Sequence, residues 1–262
     1  MDKIRTIISK EWAEVFKNRI VLFSVAFMPL IFIALPVITM ATTGSFADVP
    51  EGEFSGAELG VEGLCEGLSE AACGQVYIIN LYTLMFMILP VAIPVTIAAY
   101  SIVGEKAARS LEPLLATPVT TLELLTGKAL AAIIPAVAAT WLSYVIYVVA
   151  MWSLLTAEAR NYLFDPLWLI AIFVVGPLLT LLSVSVAILI SSRVSDPRVA
   201  EQLSMIVILP LIAGLIGQSM GLILIDQEVV LLVGLVVAVL DAVLVYVGVQ
   251  AFQRETILTK WK

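Results

Sequence analysis

Histidine is absent from the sequence. Imidazole metal sites, Ser-His nucleophilic triads and histidine proton relays are thereby excluded. Charge is also scarce: 13% of residues are Asp, Glu, Lys or Arg, where soluble domains average about 25%. There are two cysteines, Cys65 and Cys73. No G-x-x-x-x-G-K-[ST] phosphate loop occurs. Gly127-Lys128 has neither the upstream glycine nor the following Ser or Thr. The chain is therefore not expected to bind ATP, a metal or any cofactor of its own, and no nucleic-acid partner is expected. No run carries paired intramembrane carboxylates, so an intramembrane aspartyl protease is excluded and an enzyme is not expected.

Apolar side chains fill the gap. They make up 61% of residues, with a mean hydropathy of +1.07. A helix crossing a bilayer needs about 20 consecutive apolar residues. Five runs satisfy this without any Asp, Glu, Lys or Arg: 20–43, 77–103, 129–156, 167–190 and 204–225. A sixth, 229–252, carries one charge, Asp241. The expected fold class is all-α, a polytopic membrane protein forming a single domain over 1–262, with these six runs as transmembrane spans. The first run outlasts the roughly 7–15 apolar residues of a signal peptide, so it reads as a retained helix.

Basic residues gather on the cytoplasmic side of short loops. With the N-terminus inside, Lys3, Arg5, Lys10, Lys17, Arg19, Lys106, Arg109, Lys128, Arg193, Arg198, Arg254, Lys260 and Lys262 all fall inside. Of the 14 Lys and Arg only Arg160 is then outside, which predicts both termini in the cytoplasm. The external loop 44–76 carries Asp48, Glu51, Glu53, Glu58, Glu62, Glu66 and Glu70 and no basic residue. It reads either as a solvated cap or as a funnel for cations. Cys65 and Cys73 share this loop, where the redox setting permits a disulfide; spacing alone leaves the pairing open.

Residues 3–19 form an amphipathic helix. Ile4, Ile7, Ile8, Trp12, Val15 and Phe16 share one face, and Lys3, Lys10, Glu14 and Lys17 the other. Such a helix suits the headgroup plane, the alternative being a cytosolic extension of the first span. Pro90 and Pro94, one turn apart, predict a bent second span. Gly217 and Gly221 stand at G-x-x-x-G spacing, which suits close helix packing. The short link between the fifth and sixth spans leaves open a re-entrant hairpin.

Asp241 is costly in mid-span, about 2.5–3.5 kcal/mol on insertion scales. It reads as a cation or proton site on a transport path. Equally, it reads as a protonated carboxyl bonded to Thr140, Ser143, Tyr144, Ser183 or Ser185.

The loop 104–128 carries the most local order. Leu111, Leu114 and Leu115 recur at helical spacing and form a short apolar stripe. Pro118 interrupts the helix, and Thr120 with Glu123 makes a capping-box pattern. The stripe needs a covering surface, either a partner protein's groove or lipid headgroups and the spans themselves. The run Glu105-Lys106-x-x-Arg109-Ser110-Leu111-Glu112-Pro113-Leu114-Leu115-Ala116-Thr117-Pro118-Val119, followed by Glu123-Leu124-Leu125 and Gly127-Lys128, resembles the cytoplasmic loop of ATP-binding-cassette type-2 permeases, including small sodium- or drug-extrusion members. The rest of the chain agrees in layout. The resemblance implies a coupling helix near 105–118 docked on a cytoplasmic ATPase subunit. Glu105, Arg109 and Glu112 become polar anchors, Leu111, Leu114 and Leu115 the docking face, and Pro118 the break. It further implies ATP and Mg in the partner ATPase, a second permease copy or paralogue, and residence in the cytoplasmic membrane of a prokaryote. The function expected is the permease of an ATP-driven exporter. The alternatives are an ATP-independent transporter or channel using Asp241, or a mechanotransmission assembly that moves no substrate.

Overall fold

A computed structural model describes residues 2–15, 17, 19–42, 68–107, 120–223 and 225–251. These are nearly all helical, with no strand among them. Six segments are long and apolar enough to cross a membrane: Val21–Thr42, Ala71–Tyr100, Leu122–Trp152, Ala157–Arg193, Pro197–Ser219 and Gln227–Gln250. The protein is an all-α polytopic membrane protein.

Helix α1 spans Asp2–Val15 and α2 spans Arg19–Thr42. The predicted helix 3–19 thus stops before the first span begins, and α1 is a separate element rather than its extension. The second span consists of α3 (Glu70–Phe86) and α4 (Leu89–Ala107). It starts ahead of the expected residue 77 because Ala72, Cys73, Gln75 and Val76 are buried within the bundle. The acidic loop is correspondingly shorter than 44–76, and residues 43–67 lie outside the described residues. Helix α5 runs from Thr121 to Trp152. Its first turns precede the span expected from 129 and start where the Thr120–Glu123 capping pattern predicts a helix to start.

The fourth span opens with α6 (Ala157–Arg160) and a 3-10 turn, Asn161–Phe164. Then come α7 (Pro166–Ile170), a π turn (Ala171–Val175) and α8 (Gly176–Arg193). The fifth joins α9 (Pro197–Ser204) through a 3-10 turn to α10 (Leu209–Ser219), and α11 (Gln227–Ala251) is the sixth. The fifth therefore lies nearer the N-terminus than the predicted 204–225.

Proline sets the breaks. A proline ring clashes with the carbonyl four residues earlier and lacks an N–H. Pro90 stands four residues beyond Phe86, where α3 ends. Met87 and Ile88 turn back on Leu84 and Met85 through i to i+3 bonds, giving the predicted bend. Pro177 follows the π turn and Pro210 follows a 3-10 turn in the same way.

The second span is the centre of the bundle, and every residue from Leu89 to Ala99 is buried. It packs on α8, α5, α2 and α9, while α11 packs mainly on α8. Polar side chains tie the half remote from α1. Gln75 Oε1 accepts from the Thr156 N–H and hydroxyl, each at 2.9 Å. Asn80 Oδ1 accepts from Trp168 Nε1 at 2.8 Å, and the Tyr144 hydroxyl donates to the Leu163 carbonyl at 2.7 Å. Between helices in an apolar medium, such bonds fix register where dispersion alone does not.

Gly217 and Gly221 serve a turn instead of a helix interface. Gly221 takes φ 67°. Its N–H donates to Gln218 O, and the Leu222 N–H donates to Gly217 O at 2.9 Å. This is a Schellman C-cap. Ile223 folds over Gly217, where an added Cβ would meet its Cδ1 at 3.0 Å.

Candidate functional site

The segment expected to form the coupling loop, 104–128, has an anchored flank on either side of its undescribed middle. At its start, Val103 is buried with Ala99 and with Ala200 of α9, and Val194 packs on them. At its end, the Thr120 side chain accepts from the Glu123 N–H, and Glu123 reaches back to the Thr120 N–H at 2.8 Å. This is the predicted capping box. Helix α1 then clamps the first turns of α5. Lys128 Nζ meets Glu11 Oε1 at 2.7 Å, with both side chains under 5% exposed. Lys3 pairs with Glu123 at 3.7 Å. Gly127 lies so close to α1 that an added Cβ would stand 2.8 Å from Ile7 Cγ2.

Trp12 completes the clamp. Its Nε1 donates to the Ala131 carbonyl at 3.0 Å. That carbonyl lies four residues before Pro135, which has no N–H to give it. The indole replaces the missing helical donor. Trp141 repeats the device, donating to the Ile172 carbonyl at 3.3 Å. In the i to i+5 pattern of the π turn, that carbonyl's partner would be Pro177.

Of the predicted docking residues, Glu105 belongs to α4, but its side chain is not among those described. Arg109, Leu111, Glu112, Leu114, Leu115 and Pro118 lie outside the described residues.

Asp241 is buried at 4% exposure, on the face of α11 that also buries Val230, Gly234 and Val237. Neither carboxylate oxygen has a hydrogen-bond partner among the described residues. Most of the partners proposed from sequence are committed elsewhere. Thr140 bonds Ala136 O, Ser143 bonds Ala139 O, Tyr144 bonds Leu163 O and Ser183 bonds Thr180 O. Ser185 instead lines a cavity of about 250 Å³ between α5, α8 and α11, whose other walls include Leu130, Ile133, Leu181, Ile188, Leu244 and Gly248.

With six spans, a clamped loop and a buried acid in place, comparison with known proteins decides the family. The model of the ABC-2 family transporter proteins matches residues 5–246. The chain belongs to that family. No curated protein matches it. The matched stretch starts within α1 and ends within α11, so it takes in the clamp, the loop and Asp241. This ABC-2 family member is a multi-pass membrane permease of the ATP-binding-cassette transporter class.

In this permease, Glu11 was missed by sequence reasoning. The signal was present: an acid set among Ile7, Ile8, Trp12 and Val15 on the apolar face of α1 requires a buried cation. At the other end of the bundle Cys73 is buried and disulfide-bonded. Cys65 lies outside the described residues.

Proposed function

We propose that this ABC-2 permease is the membrane half of an exporter driven by a separate cytoplasmic ATPase, which docks on residues 104–128. The ATPase holds ATP and Mg. Its closure would press on the segment carrying Leu111, Leu114 and Leu115, with Glu105, Arg109 and Glu112 as polar anchors and Pro118 as the break. The observation that carries this reading is the anchoring of both flanks of that segment. One flank is wedged against α9 at Val103 and Ala200. The other is capped at Thr120 and held by Glu11 and Lys128. A load on the segment therefore reaches α4 and α5 instead of being lost in fraying ends. Helix α4 leads to the break at Pro90, a place where the second span can bend. The apolar faces of α2 and α10, with Phe23, Leu30, Leu209 and Ile216 exposed, would meet lipid and a second permease copy or paralogue.

The test is co-purification of the permease with its ATPase from the native membrane. Leu114→Asp with Leu115→Asp is expected to abolish capture and leave the permease folded. Capture at the wild-type level by this double variant would defeat the reading. The unpaired Asp241 favours one rival, an ion-coupled transporter that works without ATP. Transport by the purified chain alone in liposomes would establish that rival.

A further inference from the structure

Helix α11 is held to the bundle by a narrow stripe. Val230, Gly234, Val237 and Asp241 recur along it and are buried, whereas Leu231, Leu232, Leu235, Val239 and Val243 on its other faces are exposed. The helix packs mainly on α8, with further contacts to the π turn, α7 and α5. The approach is close: an added Cβ at Gly234 would stand 3.2 Å from Val175 Cγ2. Three positions of the stripe are valine or glycine, and the fourth is an acid.

That acid is sealed in without a partner. Asp241 is 4% exposed, and both carboxylate oxygens are shut off from solvent and unbonded among the described residues. The titratable groups on the surrounding elements are turned elsewhere. Helix α8 carries Arg193, exposed at its last position. The π turn and α7 carry none. On α5, Lys128 is held by Glu11, and Glu123 is taken by Thr120 and Lys3. Tyr144 and Tyr147 lie against Phe86 of the second span. On α11 itself, Glu228 and Tyr246 are exposed. The buried hydroxyls of Thr180 and Ser183 on α8 donate to carbonyls of their own helix. No cation pairs with Asp241 among the described residues. A carboxyl buried with neither counterion nor hydrogen bond keeps its proton, because the bare anion is far more costly to bury.

We propose that Asp241 is a proton-binding site that latches α11 to α8: the two crossings stay together only while its carboxyl holds a proton. When they part, water enters, the O–H proton passes to that water, and the hydrated carboxylate keeps α11 off α8 until a proton returns. Helix α11 is suited to such a movement, since one stripe of side chains is all it must withdraw. The inference goes beyond the ATPase-docking reading and adds one proton to the conformational cycle of the permease.

The test uses the full chain in phosphatidylcholine nanodiscs with no ATPase present. Infrared spectra read the proton. At about pH 6, where an ordinary aspartate with a value of about 3.9 is ionised, wild type should show a protonated-carboxyl band. The band should shift when aspartate is isotope-labelled in its side-chain carboxyl, and it should be missing from Asp241→Asn. That substitution puts a neutral amide of the same shape in place of a neutral acid, so the chain should still fold.

Thiol labelling reads the latch. Val237→Cys sets a thiol one turn from Asp241 on the buried stripe, in the wild-type and Asp241→Asn backgrounds alike. Its rate of reaction with methyl methanethiosulfonate reports opening, and the ratio of the two backgrounds cancels the thiol's own ionisation. The closed state holds one proton more than the open state, so rising pH favours opening by about tenfold per pH unit. The ratio of wild type to Asp241→Asn is therefore expected to rise about tenfold or more between about pH 5 and 7. A ratio flat across that range overturns the proposal. So does the absence of the band from wild type, or its survival in Asp241→Asn. Any of these failures leaves the ATPase-docking reading standing, since that is read by capture from native membranes.

Discussion

Glu11 and Lys128, 117 positions apart in the chain, meet at 2.7 Å with both side chains withdrawn from solvent. A buried pair of this kind contributes little net stability compared with an apolar replacement, but breaking it strands a charge. The pair therefore dictates where α1 sits. Helix α1 can leave α5 only if both charges become solvated together.

The first expectation follows from that asymmetry. Glu11→Ala or Lys128→Ala should each destabilise the permease by about 3–5 kcal/mol. Glu11→Leu combined with Lys128→Met should cost far less than the sum of the two single losses. Thermal unfolding in detergent, followed by size-exclusion fluorescence, measures all three. Additive losses would show that the two side chains act independently.

Trp12 and Pro135 should be coupled through a carbonyl that neither owns. Trp12→Phe leaves the Ala131 oxygen without its indole donor, at a cost of about 1–3 kcal/mol. In a Pro135→Ala background the backbone N–H returns, and Trp12→Phe should then cost less than half as much. Equal costs in both backgrounds would separate the indole from the proline. The double-mutant cycle reads the difference directly.

Gly221 and Gly214 separate a turn from a packing seam. Gly221→Ala forces an L side chain into φ 67° and should cost about 1–2 kcal/mol. Gly214→Ala meets nothing within 4 Å and should leave the melting temperature unchanged or raised. If both glycines mark a helix–helix seam, both substitutions should instead weaken oligomerisation, as cross-linking in native membranes would reveal.

Cys73 is disulfide-bonded, and Cys65 is the other cysteine of the sequence; we propose that they pair. Protein from oxidising preparations should take up no maleimide until it is reduced. Cys73→Ser should then expose Cys65 to the reagent. Labelling of the unreduced wild-type chain would contradict the bridge.

What the sequence could disclose follows the range of each interaction. The Thr120–Glu123 cap and the bend at Pro90 depend on neighbours within one turn, so residue type and spacing suffice to read them. Six spans are legible because bilayer thickness imposes one length on every crossing. The Glu11–Lys128 pair joins the first helix to the third span, and periodicity carries no information about which cation answers a given acid. Gly217 and Gly221 mislead for another reason. The same four-residue interval serves a helix seam and a Schellman cap, and only the fold of Ile223 over Gly217 separates them. Asp241 was visible as an anomaly from its type and depth. That the hydroxyls of Thr140, Ser143 and Ser183 bond their own helices, and that of Tyr144 the Leu163 carbonyl, only the packed structure shows.

The π turn at Ala171–Val175 makes the fourth crossing sensitive to length as well as to composition. It holds more residues than the 3.6 of an ordinary turn. Deleting a single residue there would draw the wide turn back to ordinary helical bonds and leave the residues beyond Gly176 on their present faces. The same deletion at Leu178, inside α8, has no wide turn to absorb it and would rotate everything beyond by about 100°, carrying Thr180, Ser183, Val184 and Ala187, all buried, off the core. The loss of Ala171 should therefore do less damage than the loss of Leu178.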